Sequence, residues 1–213
     1  MKNIIFIAAP AAGKGTFSDL LKDKYGYLHI STGDLLRNAK NEDNELGKEI
    51  TNLMNSGSLV PDEIVLKLLS DYIEEIGTSN NFILDGVPRN VTQIDPVLKM
   101  IEGTDYVTIF LDIEYDKAMK RTLGRISCPN CKKVYNKMND LLKPKVDGIC
   151  DICGEQLVSR SDDNEETFKV RFDTYIKETQ PIIEYFKNID KLVTINITGD
   201  IDKDLSEIER VIK

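Results

Sequence analysis

Ala8-Ala9-Pro10-Ala11-Ala12-Gly13-Lys14-Gly15-Thr16 decides how this chain is read. An apolar run, Asn3–Ala8, precedes it, and an amphipathic stretch, Gly15–Lys24, follows. A glycine-bearing turn from strand to helix is the required setting of a phosphate-binding loop. Backbone N–H groups at the helix start hold an anion, and a lysine neutralises the outer phosphates. The strict pattern G-x-x-x-x-G-K-[ST] fails twice, with Ala8 at the first glycine and Gly15 at the hydroxyl position. Alone, the stretch also fits an ordinary strand–turn–helix with a surface lysine. Pro10 restricts Ala9 towards extended geometry. Ala8 and Ala11 are both expected at negative φ.

Further candidate strands are Leu28–Ile30, Phe82–Leu84, Tyr106–Leu111 and Lys191–Asn196. Helical patterns between them include Asp62–Ile76, Tyr115–Leu123 and Glu165–Phe186. Such alternation predicts an α/β fold with a parallel sheet covered on both faces. Two stretches interrupt it: Ser31–Val60, polar and helix-like, and Ser127–Arg160, rich in Lys, Asn, Asp and Gly. Both read as insertions. After the second, Asp162 with Glu165 three residues on supplies an N-cap candidate for a long helix.

The 213 residues, 41% apolar and 30% charged, suit a globular protein and not a disordered one. A net charge of −8 and a pI near 4.9 argue against general binding to nucleic acid polymers or anionic membranes. No apolar run reaches the ~18 residues of a membrane span. The first residues imitate a signal peptide, but the apolar core before Pro10 is shorter than the roughly 7–15 residues expected. Cys128, Cys131, Cys150 and Cys153 form two C-x-x-C pairs with 18 residues between them. In a chain read as not exported, this spacing points to metal and not to disulfides.

Only seven of the 28 basic residues are arginine: Arg37, Arg89, Arg121, Arg125, Arg160, Arg171 and Arg210. Arginine's rigid fork suits two-point grips on phosphate. Six of the seven fall in short motifs. Ile30-Ser31-Thr32-Gly33-Asp34-Leu35-Leu36-Arg37 opens the first insertion, where Ser31, Thr32 or Asp34 could cap a helix. Phe82-Ile83-Leu84-Asp85-Gly86-Val87-Pro88-Arg89 ends a buried strand in a carboxylate, which needs a partner such as hydrated Mg²⁺. In Arg121-Thr122-Leu123-Gly124-Arg125 two arginines stand four apart, so a helix would put both on one face. Arg160-Ser161-Asp162-Asp163-Asn164-Glu165-Glu166-Thr167 is followed by Arg171.

Together with the Gly13–Thr16 ending of the first loop, these motifs resemble the adenylate kinase family over essentially the whole chain. In that family the loop ends G-K-G-T, so Gly15 is no defect. The resemblance implies a P-loop core with a parallel five-stranded sheet flanked by helices, over residues 1–30, 61–126 and 161–213. It implies a helical AMP-binding insertion at 31–60 and a lid at 127–160 carrying a four-cysteine structural zinc. It implies Mg-dependent transfer, ATP + AMP = 2 ADP, by a cytoplasmic monomer in adenine nucleotide homeostasis. For ATP it implies Ala11, Ala12, Gly13, Lys14, Gly15 and Thr16 at the phosphates, with Arg121, Val134, Tyr135 and Gly199 towards the base. Tyr135 is equally readable as a core aromatic of the lid. For AMP it implies Arg37 and Arg89 at the phosphate and Thr32 and Gln93 at the base, with Ser58, Leu59, Val60, Gly86, Val87 and Pro88 lining the pocket. Lys14, Arg89, Arg125, Arg160 and Arg171 would carry the transferring group, with Arg160 and Arg171 also reaching AMP, and Asp85 would order water around Mg²⁺. His29, the single histidine, is read as a strand residue without catalytic role.

This chain departs from the family at Ala8 and Ala11, usual loop glycines, at Val87, usually aromatic, and at Ile126, usually a second arginine. Three rivals stay open. A UMP/CMP kinase usually carries alanine at Thr32 and a short lid. A nucleotide-sensing pseudoenzyme finds support only in the two alanines. A zinc-ribbon interaction module explains the cysteines but not the arginines.

Overall fold

Burial alternates along the first strand. Ile4 and Phe6 enter one apolar cluster, Ile5 and Ile7 another, and all four are at most 1% exposed. Successive strand side chains point to opposite faces, so a strand buried on both sides reads as one apolar run. The structure is a computed structural model that describes residues 1–41, 44–77 and 79–213. Its elements run β1 (Asn3–Ala8), α1 (Lys14–Tyr25), β2 (Leu28–Ser31), α2 (Thr32–Ala39), α3 (Glu45–Ser56), α4 (Asp62–Ile76), β3 (Phe82–Asp85) and α5 (Ile94–Met100). They continue with β4 (Tyr106–Asp112), α6 (Tyr115–Leu123), β5 (Arg125–Ser127), β6 (Val134–Asn136), α7 (Glu165–Thr174), α8 (Gln180–Asn188), β7 (Leu192–Asn196) and α9 (Ile201–Ile212).

The expected five-stranded sheet is present, in the order β2-β3-β1-β4-β7, with every neighbouring pair parallel. β1 is central, Ile5 lying between Leu84 of β3 and Thr108 of β4. Helices cover both faces. Phe17, Leu21, Phe168 and Ile208 pack with one cluster, and Leu69, Ile94, Ile182 and Phe186 with the other. The chain winds from β1 to β2 on one side, then crosses to β4 on the other. Such a reversal opens a crevice at the carboxyl ends of the strands, where the loop after β1 meets Asp85-Gly86 at the end of β3.

The stretch 31–60 carries α2 and α3, as its helix-like pattern led one to expect. Ser31 is its cap, accepting from Asp34 N at 3.3 Å. The 127–160 stretch, read only as polar insertion, holds an antiparallel pair, β5–β6, extended by a bridge from Ser127 to Val158. Ile126 is 2% exposed in this lobe's small core, so the place of the family's second arginine has become a packing position.

Two local expectations are corrected. The long helix expected over Glu165–Phe186 is not uniform: a π-helical turn, Tyr175–Thr179, joins α7 to α8. Pro181 lies in the first turn of α8 and has no N–H to donate, so the regular ladder is broken just before it. The cap of α7 is Asn164, whose side chain accepts from Thr167 N at 2.9 Å, and not Asp162. Asp162 and its neighbour Asp163 are drawn away by arginines.

Candidate active site and cysteine lobe

A cleft of about 600 Å³ lies at the carboxyl ends of the strands, between the 31–60 helices and the cysteine lobe. The phosphate loop forms its floor. Gly13 caps α1 at φ 110, and the first helical bond runs from Phe17 N to Gly13 O at 3.0 Å. The preceding N–H groups are the donors that a helix start leaves for an anion. Ala8 pairs with Leu111 in the sheet and has no positive φ, as expected. Ala11 does not follow expectation: its φ is 59, in the left-handed region. A nest of converging N–H groups alternates right- and left-handed residues, and Ala11 fills a left-handed place. An alanine there costs about 1–2 kcal/mol.

Lys14 Nζ lies 4.0 Å from Asp85 Oδ1, and His29 Nε2 lies 3.2 Å from Asp85 Oδ2. Burial would raise the Asp85 carboxyl, but His29, Lys14 and Arg89 hold it at about 2. Burial and the charges of Arg89, Arg171 and Arg125 push the Lys14 ammonium down to about 8, against the pull of Asp85. His29 is therefore more than a strand residue: it is a partner of the carboxylate at the cleft floor. The D-G-x-P-R motif marked the carboxylate, but nothing local marked its partner, which arrives from β2.

Five arginines surround this floor. Arg125 Nε donates to Asp163 Oδ2 at 2.7 Å, and its Nη2 pairs with Asp163 Oδ1. Arg171 Nη1 donates to Asp162 Oδ2 at 2.9 Å. Arg89 Nε donates to Gly86 O at 2.9 Å, and Thr179 of the π turn donates to Arg89 O at 2.7 Å. Arg37 Nη2 donates to Asp34 Oδ1 at 2.7 Å. Burial, then Arg125 and Arg37, push Arg160 down to about 10. Aspartates meet Arg125, Arg171 and Arg37, while the crowded and desolvated Arg89 and Arg160 leave positive charge that a polyphosphate would meet through charge-assisted hydrogen bonds.

Most residues singled out in the sequence line this one cleft. Val87, Pro88, Gly199, Cys150 and Cys153 do not. Val87 is fully buried in the apolar cluster under the cleft. Gly86 is at φ 86, and a Cβ there would lie 2.7 Å from Thr32 Oγ1, so this place admits only glycine. Thr32 Oγ1 donates to Gly86 O at 2.9 Å. Gln93 is engaged at both ends: its Oε1 accepts from Arg89 N and its Nε2 donates to Asp62 Oδ1, each at 2.7 Å. In this structure both base-reading candidates thus buttress the Gly86–Arg89 turn. Asp62 and the Asp162-Asp163 pair were not singled out as arginine and amide partners.

The four cysteine Sγ atoms lie within 4.8 Å of one another. Cys128 and Cys153 are 3.4 Å apart, and Cys131 and Cys150 are 3.5 Å apart. A tetrahedral Zn²⁺ with Zn–S near 2.3 Å sets its sulfurs roughly 3.8 Å apart, so this cluster fits a metal of that kind. The two knuckles repeat one backbone pattern. Cys128 N donates to Lys133 O and Lys132 N to Cys128 O, while Cys150 N donates to Glu155 O and Gly154 N to Cys150 O. Tyr135 is 5% exposed, and its hydroxyl accepts from Asp151 N at 2.8 Å. Of its two readings, the ring serves the lobe core, although the residue also borders the cleft. Among the described residues, no helix is long and apolar enough to cross a membrane.

Comparisons with known proteins agree with this geometry. A profile of the family described as adenylate kinase matches residues 6–191. The chain is 38% identical over 215 residues to the adenylate kinase of Thermosipho africanus, covering 99% of each. It is 40% identical over 208 residues to that of Thermodesulfovibrio yellowstonii, covering 96% of each. It is 38% identical over 213 residues to that of Pseudothermotoga lettingae, covering 99% of this chain and 97% of that one. With phosphate loop, arginine cluster and cysteine lobe in the arrangement described, the chain belongs to the adenylate kinase family.

Proposed function

We propose that this protein catalyses ATP + AMP = 2 ADP. The observation that carries the reading is the convergence of Lys14 and six arginines on one cleft at the strand ends. Phosphoryl transfer needs positioning and charge neutralisation more than a general base. The loop from Ala11 to Thr16 and Lys14 would hold the donor phosphates. Arg37 and Arg89 would clamp the acceptor phosphate, with Thr32 and Gln93 towards its base. Arg125, Arg160 and Arg171 would neutralise the group in transit. Asp85, held ionised, would order the water around Mg²⁺, which would supply charge neutralisation at the ATP phosphates. In the lobe, Zn²⁺ held by Cys128, Cys131, Cys150 and Cys153 would be structural. Residues 31–60 and 127–160 would be the parts that close, excluding water so that phosphate passes to AMP.

Ala11 gives the pseudoenzyme reading its one support. Its strain of about 1–2 kcal/mol corresponds to roughly 5–30-fold in rate, which is small beside enzymatic accelerations of 10⁶ or more. The kinase reading stands on that magnitude. A coupled assay of ADP formation from ATP with each nucleoside monophosphate tests it. AMP should be phosphorylated far faster than UMP or CMP, because a base that displaces the bonds Thr32 and Gln93 make to Gly86, Arg89 and Asp62 must satisfy the polar groups it frees. Equal turnover with CMP would overturn the AMP assignment, and absence of turnover with any monophosphate would favour the sensing role.

A further inference from the structure

Asp204 has no part in the reading above, yet it is a carboxylate only 1% exposed. It lies in the first turns of α9, whose cap is another residue: Asp200 accepts from Lys203 N at 3.1 Å. Asp204 is therefore not needed to start the helix. Its Oδ1 accepts from Thr198 N at 3.1 Å and from Thr198 Oγ1 at 2.7 Å. Its Oδ2 accepts from Gly199 N at 3.2 Å. Burying a charge is expensive unless donors meet it, and here the donors all come from the turn between β7 and α9. Thr198 Oγ1 accepts in turn from Asp200 N at 3.2 Å, so the turn is tied at each residue.

The held turn faces Arg121. Gly199 is at φ 102, and a side chain there would lie 3.9 Å from Arg121 Nη2. Arg121 Nη1 donates to Ala12 O, in the phosphate loop, at 3.3 Å. Asp204, Ile201 and Arg121 border the same cleft as Gly13. The family resemblance puts Arg121 and Gly199 towards the donor base, and the kinase reading keeps that place for it at this end of the cleft.

We infer that Asp204 is a positioning residue for the base of the nucleoside triphosphate: its carboxylate holds the 198–199 turn against Arg121 and so sets the slot the base enters. The inference rests on the kinase reading of the cleft. No substrate contact is assigned to the carboxylate itself.

Asp204→Asn keeps the volume but replaces one acceptor oxygen by a donor that faces backbone N–H. The expected result is a rise of about tenfold in the KM for ATP, with the KM for AMP and kcat at saturating ATP within about twofold. Inorganic tripolyphosphate, which has no base, should bind wild type and variant alike in calorimetry, and the preference for ATP over GTP should fall. Thr198→Val removes only the hydroxyl and should raise the KM for ATP about threefold; it serves if Asp204→Asn fails to fold. The exposed Asp202→Asn, in the first turn of α9, should change nothing. Equal weakening of ATP and tripolyphosphate, a parallel rise in both KM values, or an unchanged KM for ATP would overturn the inference. A wild-type protein that neither binds nor turns over ATP would overturn the kinase reading instead.

Discussion

The phosphate loop stands on a sheet buried on both faces, whereas the cysteine lobe encloses a core of five described residues, Ile126, Cys128, Tyr135, Cys150 and Leu157. The lobe also leaves Met138, Leu141, Val146 and Ile152 each more than 60% exposed. A core this small does not offset the entropy of ordering its chain, so the lobe would need a metal of the kind its four cysteines could coordinate. The two regions share one local device. Each places a residue other than glycine in the left-handed region, Ala11 at φ 59 and Lys132 at φ 65. In the second knuckle the equivalent place is Gly154, at φ 74. The core carries its strained residue by packing, and the lobe would carry its own by coordination.

That contrast yields four expectations. The largest effect is Lys14→Ala, which removes the lysine at the cleft floor. Activity should fall about 10²–10³-fold, the scale of deleting one preorganised electrostatic contact, with little change in thermal unfolding. A loss under tenfold would break the phosphate-loop side of the comparison.

Next is Cys150→Ser, or strong chelation. Wild-type protein prepared without chelator should carry about one zinc by elemental analysis. The variant should lose hydrogen-exchange protection at Ser127 and Val158, which bond each other across the lobe, while β1 and β4 keep theirs. Activity should drop more than tenfold, because a lobe without its metal cannot exclude water from the transfer. If lobe and core melt together, the two regions are not held by separate means.

A third expectation follows from Lys14, whose ammonium is held at about 8. Bound phosphate favours the ammonium and raises that value. Between about pH 8 and the ordinary lysine value near 10.4, ATP binding should take up as much as about one proton, and below pH 7 this group should contribute none. Calorimetry at pH 8.5 and 6.5 in buffers of different ionisation enthalpy reads the difference. In the same window the empty protein should gain stability as pH rises, because burying the charged form costs free energy that deprotonation relieves.

The smallest effect is Ala11→Gly. Relief of about 1–2 kcal/mol in the folded state is offset by about 0.4–1 kcal/mol of added unfolded-chain entropy. Net stabilisation of about 1 kcal/mol and a change in kcat/KM under tenfold should result, read by thermal unfolding and steady-state rates. A gain of several hundredfold would show the loop to be damaged and would return the sensing role to the front.

The sequence by itself determined what depends on periodicity and on residue type. β1, α4 and α6 are legible to the residue because apolar spacing and turn chemistry are local properties. The cysteine quartet is legible because a metal knuckle is set by two short spacings, and the arginines because each sits in its own motif. Tertiary structure decided what depends on partners far along the chain. His29 meets Asp85 from another strand, Asp163 leaves a helix start to pair with Arg125, and Tyr135 turns its hydroxyl into the lobe. Gln93 is engaged by Asp62 across 31 residues, and Asp204 is buried by the turn it holds. Ala11 adopts a positive φ because the loop must converge its N–H groups, a demand set by the strand and helix it joins and not by the alanine. Side-chain pairing over long separations is governed by burial, where an unpaired charge is too costly to leave, and burial exists only once the chain has folded.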